Sequence, residues 1–323
     1  MKEEASCCEA MCLLYFYHLA GALARRAKTN FNAHSNCPFE EIAYICLPNM
    51  YYKHERLAMS KHFFYLLLSV LLIGCQVDYH PYDTRIDGEQ GINAKNIARI
   101  EAATAGKRVV RVAMISDSQR WYDETRDVVR ALNSRDDIDF VIHTGDVADF
   151  GMKVEFERQR DILSNLHVPY VVLIGNHDCL ATGETIFKRI FGEPNFAFTA
   201  GCLRFICLNT NALEFDHSVP IPDFSYMKRQ YEQFPAEATK TVVAMHAKPF
   251  TEQFDNNVAQ TFQYYVRQYP NLQCCLNGHG HNFAIDDVFN DGVLYYECDN
   301  VGKRTYLLFT FDEEGYTYER IAF

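Results

Sequence analysis

From residue 117 onward, five short polar blocks each close an apolar run: Asp117-Ser118-Gln119, Gly145-Asp146 with Asp149, Gly175-Asn176-His177-Asp178, His246, and Gly278-His279-Gly280-His281. Together they offer carboxylates, amides and imidazoles, the donors that divalent cations take from proteins. Each block alone is ordinary. An Asp after a strand is commonly a turn residue or helix cap, a His inside a strand such as His143 is commonly a satisfied core residue, and Gly-Asp is a turn signal. Their recurrence at successive strand ends points instead to one convergent site, with Gly145, Gly175 and Gly278 letting the backbone bend close to bound ions.

The elements that must position these blocks are legible in the apolar pattern. "RVAMISD" precedes a helix near Asp123 to Asn133, "DFVIHTGD" a helix near Lys153 to Leu166, and "YVVLIGNHD" completes a βαβαβ order, which implies a parallel sheet with right-handed crossovers. The carboxyl ends of such strands line one crevice. Later come "LRFICLNTN", a helix near Ser225 to Phe234, "KTVVAMHAKPF", a helix near Ala259 to Tyr269, and "LQCCLNGHGH". The last quarter reads as strands joined by short turns. Two sheets packed face to face with helices outside accommodate this order, and no internal repeat or second domain boundary interrupts it.

The chain has 323 residues, 48% apolar and 14% aromatic, enough for one large domain with a real core. Its net charge of -11 argues against a nucleic-acid-binding surface, which needs a basic excess to displace counterions. A small phosphorylated substrate stays compatible if cations mediate. Residues 59 to 75 read as an export signal: a Lys, the apolar run Phe63 to Ile73, then Gly74 and Cys75, too short to span a bilayer. Leu72-Ile73-Gly74-Cys75 looks like a bacterial lipobox, so the expectation is an exported protein held to a membrane by a lipid on Cys75. Residues 1–58 carry five of the twelve cysteines and little periodicity. They are read as an over-extended N-terminus with Met59 as the start; the rival is a membrane-associated helix over Met11 to Ala24. Residues 76–108 suit a tether with a short helix near Asn93 to Ala103. The cysteines after Cys75 show no metal-type CxxC pair; most read as buried small apolar residues, one disulfide staying open.

As an ordered set, GDxxD, GNHD, a strand-end His and GHxH resemble the calcineurin-like metallophosphoesterases, from about Val109 to Phe323. The resemblance implies a single-domain α/β/β/α sandwich over 109–323 and a dinuclear centre of divalent ions at the sheet edge. By motif position, one ion would be held by Asp117, Gln119 and His281, the other by Asn176, His246 and His279, with Asp146 bridging them. Two ions roughly 3.5–4 Å apart can share a hydroxide, lower its pKa and neutralise phosphate oxygens for in-line attack. His177 would stabilise the transition state or protonate the leaving oxygen, and Asp149 would orient its imidazole through a charge-assisted hydrogen bond.

Gln119 departs from the usual Asp-x-His first block and is either a substituted ligand or the trace of a lost one. An amide oxygen is a harder donor than imidazole and favours Mn, Fe or Mg over Zn, which stays possible. A branch that includes manganese-dependent ADP-ribose/CDP-alcohol diphosphatases carries Asp-x-Gln here, so retained binding is the expectation and pyrophosphate bonds join phosphoesters as candidates. Arg120 and Trp121 suit either a phosphate clamp and stacking surface or ordinary exposed and core roles. Asn211 suits the crevice or a turn, and His217 reads as surface. The leading function is hydrolysis of phosphoester or pyrophosphate bonds. The rival is a non-catalytic surface binding lipoprotein that retains the fold. A protein phosphatase is disfavoured because "GDVADFG" lacks the arginine that such enzymes place after the second block. The sequence leaves oligomeric state and natural substrate open.

Overall fold

Strands that are apolar at every position are buried on both faces, and the central strands follow that rule. A computed structural model describes residues 64–65, 80, 82–215 and 218–323; Cys75, the remainder of the signal segment apart from Phe64 and Tyr65, the residues before it and His217 lie outside the described residues. One sheet runs in the order β11 (Tyr316–Ala322), β10 (Thr305–Phe311), β1 (Val110–Ile115), β2 (Phe140–His143), β3 (Tyr170–Val172). The other runs β4 (Phe196–Ala200), β5 (Leu203–Leu208), β6 (Lys240–Met245), β7 (Leu272–Asn277), β9 (Tyr295–Glu297), β8 (Ala284–Asp286). Strands β1, β2 and β3 are parallel, as are β5, β6, β7 and β9. Antiparallel strands sit only at the flanks, β10 and β11 on one sheet, β4 and β8 on the other.

Successive side chains of a strand face opposite ways, which sorts the apolar residues into layers. Val112 and Met114 of β1 join Phe140, Phe205 and Phe309 between the sheets. Ala113 and Ile115 face outward onto α2 (Tyr122–Asn133), α3 (Lys153–Leu163) and α4 (Gly183–Ile190), which supply Val128, Phe156 and Phe187. On the far side, Met227 of α5 (Phe224–Glu232) and Phe262 of α6 (Ala259–Val266) cover Ile206 and Val243. The result is the expected α/β/β/α sandwich, over a single compact unit Tyr79–Phe323. The final strands divide between the sheets, and β9 extends the parallel run instead of turning back. Helix α4 and strands β4 and β8 have no counterpart in the sequence reading. The six described cysteines are free thiols, so none of them forms the disulfide left open above.

The short helix expected after the tether, α1 (Ile92–Thr104), belongs to that compact unit. It seals the open edge of β3, where unpaired backbone groups would otherwise invite foreign strands. Asn93 Nδ2 donates to Val172 O at 2.8 Å while Asn93 Oδ1 accepts from Val172 N–H at 2.9 Å. Asn96 Nδ2 donates to Tyr170 O at 2.8 Å. Further along, Ile100 enters the layer between the sheets. Asn93→Ala would strand two buried backbone groups, and a loss of about 2–4 kcal/mol in urea unfolding is the expected outcome. An unchanged midpoint would show that the edge needs no such seal.

Candidate metal centre

The loops that follow β1, β2, β3, β6 and β7 meet at one rim of the sandwich. Their conformations are unusual for the residues they hold. Asp117, Asp146, His279 and His281 all have positive φ, 52°, 60°, 79° and 61°, a region that non-glycine residues enter rarely and at a cost. Gly145 makes the turn before Asp146 with φ 106°. Gly175 permits close approach: a Cβ there would lie 2.1 Å from Asp146 Oδ1.

The loop ends are fastened by a residue that the sequence reading quoted but gave no role. Asp178 is fully buried, and its carboxylate accepts N–H groups from Asp146, Val147, Ala148 and Gly175 at 2.8–3.0 Å. Burial and the charge of Asp146 push its carboxyl up from the ordinary range, against the pull of the Ala148 and Gly175 N–H groups. The available signal was an acid immediately after Asn176-His177, beside a loop whose N–H groups needed acceptors.

The seven expected ligands converge as a continuous chain of contacts. His281 Nε2 lies 3.2 Å from Asp117 Oδ1, and His246 Nε2 lies 3.4 Å from Asp146 Oδ2. The ring nitrogens His246 Nε2 and His279 Nδ1 each approach Asn176 Oδ1 to 3.0 Å. Asp117, Asp146 and His246 are buried, with ligand atoms all within 4.8 Å of one another. Gln119 Nε2 is 3.3 Å from Asp146 Oδ2. Gln119 Oε1 is buried without a hydrogen-bond partner, a costly arrangement that a cation relieves, and Asp117 Oδ1 faces the His281 imidazole. A half-turn of the Gln119 amide exchanges its oxygen and nitrogen, turning the oxygen toward Asp146. The donor set therefore fits divalent metal.

Charge is redistributed accordingly. Burial alone would lower the His246 imidazole, but Asp146 and Asp117 reverse this and hold it up at about 10. Burial would raise Asp117, yet its contact with His281 and the charge of His246 bring it below its ordinary value. The Asp117 hydrogen bond raises His281, whereas burial and the neighbouring His246 lower His279.

Around the ligands, supporting contacts differ from expectation at one point. His177 Nδ1 lies 2.7 Å from the main-chain oxygen of Asp149, while the Asp149 carboxylate is 3.7 Å away and pairs with Arg120. Asp149 thus aligns His177 through its backbone, because its side chain is already taken. Two further partners lacked any sequence signal: Thr144 O, 2.8 Å from His246 Nδ1, and Glu252 Oε1, 3.1 Å from His279 Nε2. His143 is the satisfied buried residue expected, its Nδ1 accepting from Gly145 N–H and its Nε2 2.9 Å from Ser118 Oγ. Asn211 supports the rim from behind, donating to Ile174 O at 3.0 Å. Trp121 lies against Gly302 and is 37% exposed.

A family model described as calcineurin-like phosphoesterase matches residues 110–283, more than half of the chain. A 3′,5′-cyclic-nucleotide phosphodiesterase of Nostoc sp. is 24% identical over 154 residues, covering 46% of this chain and 57% of that protein. A purple acid phosphatase from yellow lupin (Lupinus luteus) seeds superposes with a TM-score of 0.51 at 14% identity, over 68% of this chain and 52% of the other; at that identity the likeness is one of fold. The chain spans a little over half the length of each.

The His246 shift carries a pH dependence. Without a cation, its raised value contributes stability that is full below the ordinary 6.5 and is lost as pH climbs through about 10. A cation must displace that proton, so Mn²⁺ should bind more tightly at pH 9 than at pH 6 and release protons on binding. Calorimetry in two buffers of different ionisation enthalpy measures both; an affinity indifferent to pH would contradict the assignment of His246.

Proposed function

The chain belongs to the calcineurin-like phosphoesterase family, and from that premise and the ligand cluster we propose that it is a metal-dependent hydrolase of a small phosphorylated compound, with two cations sharing Asp146. The observation that carries this reading is the unbroken series His281, Asp117, Asp146, His246, Asn176, His279, with Gln119 beside Asp146. Asp117, Gln119 and His281 would take one cation, and Asn176, His246 and His279 the other. Bound divalent ions lower the pKa of water and offset the charge of phosphate oxygens.

The chain's own groups do the rest. The Asp146 carboxylate is central, and its Oδ1 also accepts the His177 backbone N–H at 3.0 Å, tying the proton donor's backbone to the cation site. His177 itself is partly exposed at the rim. With Nδ1–H donated to Asp149 O, a doubly protonated ring would carry its second proton on Nε2 and hand it to the departing oxygen, leaving a neutral imidazole. A phosphodiester is the first substrate class to test, supported by the likeness to the Nostoc phosphodiesterase; the Asp-x-Gln block supports a pyrophosphate bond as the second. The lipobox-like Leu72–Cys75 supports export and a lipid anchor on the periplasmic or cell-surface side of a bacterial membrane.

With Mn²⁺ supplied, the purified protein should hydrolyse an aryl phosphodiester. His177→Ala should lower the rate by about 10²–10⁴-fold, and Asp146→Ala should abolish both turnover and metal uptake. Failure of the wild type to take up metal in elemental analysis would instead favour a binding protein. A separate expectation concerns Gln119→His: activity persists and metal preference moves toward Zn²⁺. Loss of all metal at the first position in that variant would argue that Gln119 is not a ligand.

A further inference from the structure

We infer that Arg120 is a positioning residue that acts on the proton donor His177 through Asp149. The inference rests on the hydrolase reading above and adds a residue that reading does not use.

Three observations carry it. First, Ser118 to Trp121 form a turn, closed by Trp121 N–H donating to Ser118 O at 3.1 Å, and Arg120 sits at its third position with φ 59°. Gly or Asn takes that conformation readily, and Arg does so under strain. The strain is informative because the side chain is not retained for packing: it is 60% exposed. Second, the Arg120 guanidinium reaches across to the loop after β2 and holds the Asp149 carboxylate, which is 11% exposed. Third, the main-chain oxygen of that same Asp149 lies 2.7 Å from His177 Nδ1.

The loop that carries this oxygen is pinned at other points. Ala148 N–H donates to Asp178, and the Phe150 and Met152 N–H groups donate to Glu155 Oε2 at 2.9 and 3.1 Å. These bonds hold the residues on either side of Asp149. The Asp149 side chain is fixed by Arg120, whose backbone directly follows the ligand Gln119. The ion pair therefore couples the loop of the first ligand block to the orientation of the imidazole. By occupying the carboxylate, Arg120 also leaves His177 Nδ1 facing a neutral carbonyl, so a single ring orientation is defined. A guanidinium can hold a carboxylate in a fixed plane in a way that a lysine ammonium cannot.

The test uses the full chain loaded with Mn²⁺ and two esters that differ only in leaving group, methyl 4-nitrophenyl phosphate and methyl phenyl phosphate. Nitrophenolate departs without a proton, whereas phenolate benefits from one. Arg120→Gly relieves the turn, so its thermal midpoint should equal or exceed that of the wild type, with metal content unchanged. Its kcat for the phenyl ester should fall by about 10–100-fold with KM held, and its kcat for the nitrophenyl ester should change little. In a His177→Ala background, Arg120→Gly should cost nothing further, and Arg120→Lys should recover only part of the loss. A rise in KM with kcat held would overturn the inference and place Arg120 on the substrate phosphate. An equal loss for both esters, or a loss that persists without His177, would overturn it too. If the wild type is active, His177→Ala is impaired and Arg120→Gly is not, the inference alone fails. If the wild type turns over neither ester, the phosphodiester form of the hydrolase reading, on which the inference rests, fails and takes the inference with it.

Discussion

The rim depends on the carboxylate of Asp178. Its four N–H acceptances join the loop after β2 to the loop after β3, and both loops carry expected ligands. Hydrogen bonds to a charged group contribute about 1.5–3 kcal/mol each, enough collectively to hold backbone that does not favour its own conformation. Asp146, at φ 60°, is one of the residues so held. The cost of the arrangement is a fully buried carboxyl close to a second one, which disfavours its charged form. Cations at Asp146 would lessen that repulsion, so the metal site and its scaffold stabilise one another.

Left-handed backbone recurs at the ligands for a geometric reason. Residues at the end of a parallel strand point alternately up and down, and a regular continuation would carry the side chain away from the crevice. A positive φ turns the chain sharply at the residue that bears it instead of continuing the strand. Asp117, His279 and His281 do this on loops fixed from elsewhere: Asp117 N–H donates to Gly145 O at 3.0 Å, and the His279 N–H donates to Asp117 Oδ2 at 3.2 Å. Each ligand loop thus leans on another, and the strain is shared across the rim.

That mutual support explains which features were legible in the sequence. The central strands announced themselves as unbroken apolar runs, and the ligands as polar residues ending them, since both signals are local. All seven expected ligands meet at the rim. The partners of those ligands were less visible. The Asp178 carboxylate meets backbone N–H groups and Thr144 offers its own carbonyl, directions that no residue type reveals, and Glu252 is an exposed acid like many others. Asp149 was assigned a plausible partner by type, yet its carboxylate had a stronger one in Arg120, a choice that only three-dimensional proximity decides. Helix α4 was missed because its eight residues, starting on Gly183, carry too short a period to stand out, and the three residues of β8 are shorter still.

Gln119 bears on whether the site is intact or decaying. The backbone around Gln119 is fixed by several contacts. Its N–H donates to Asp146 O at 3.1 Å. The preceding Ser118 is held on both sides, by His143 on its hydroxyl and by Gln159, from α3, on its carbonyl. Burial lowers the His143 imidazole to about 4, so that contact stays neutral over the physiological range. The remaining freedom of Gln119 is rotation of its amide, and the unpartnered Oε1 is the atom that such rotation would bring to a cation. As a ligand, an uncharged Gln119 would spare the site a further titrating group beside His281, so that side of the cluster would compete less with protons than an all-imidazole version. The fixed backbone, the buried oxygen and the ordered surroundings are what a ligand at this position would need.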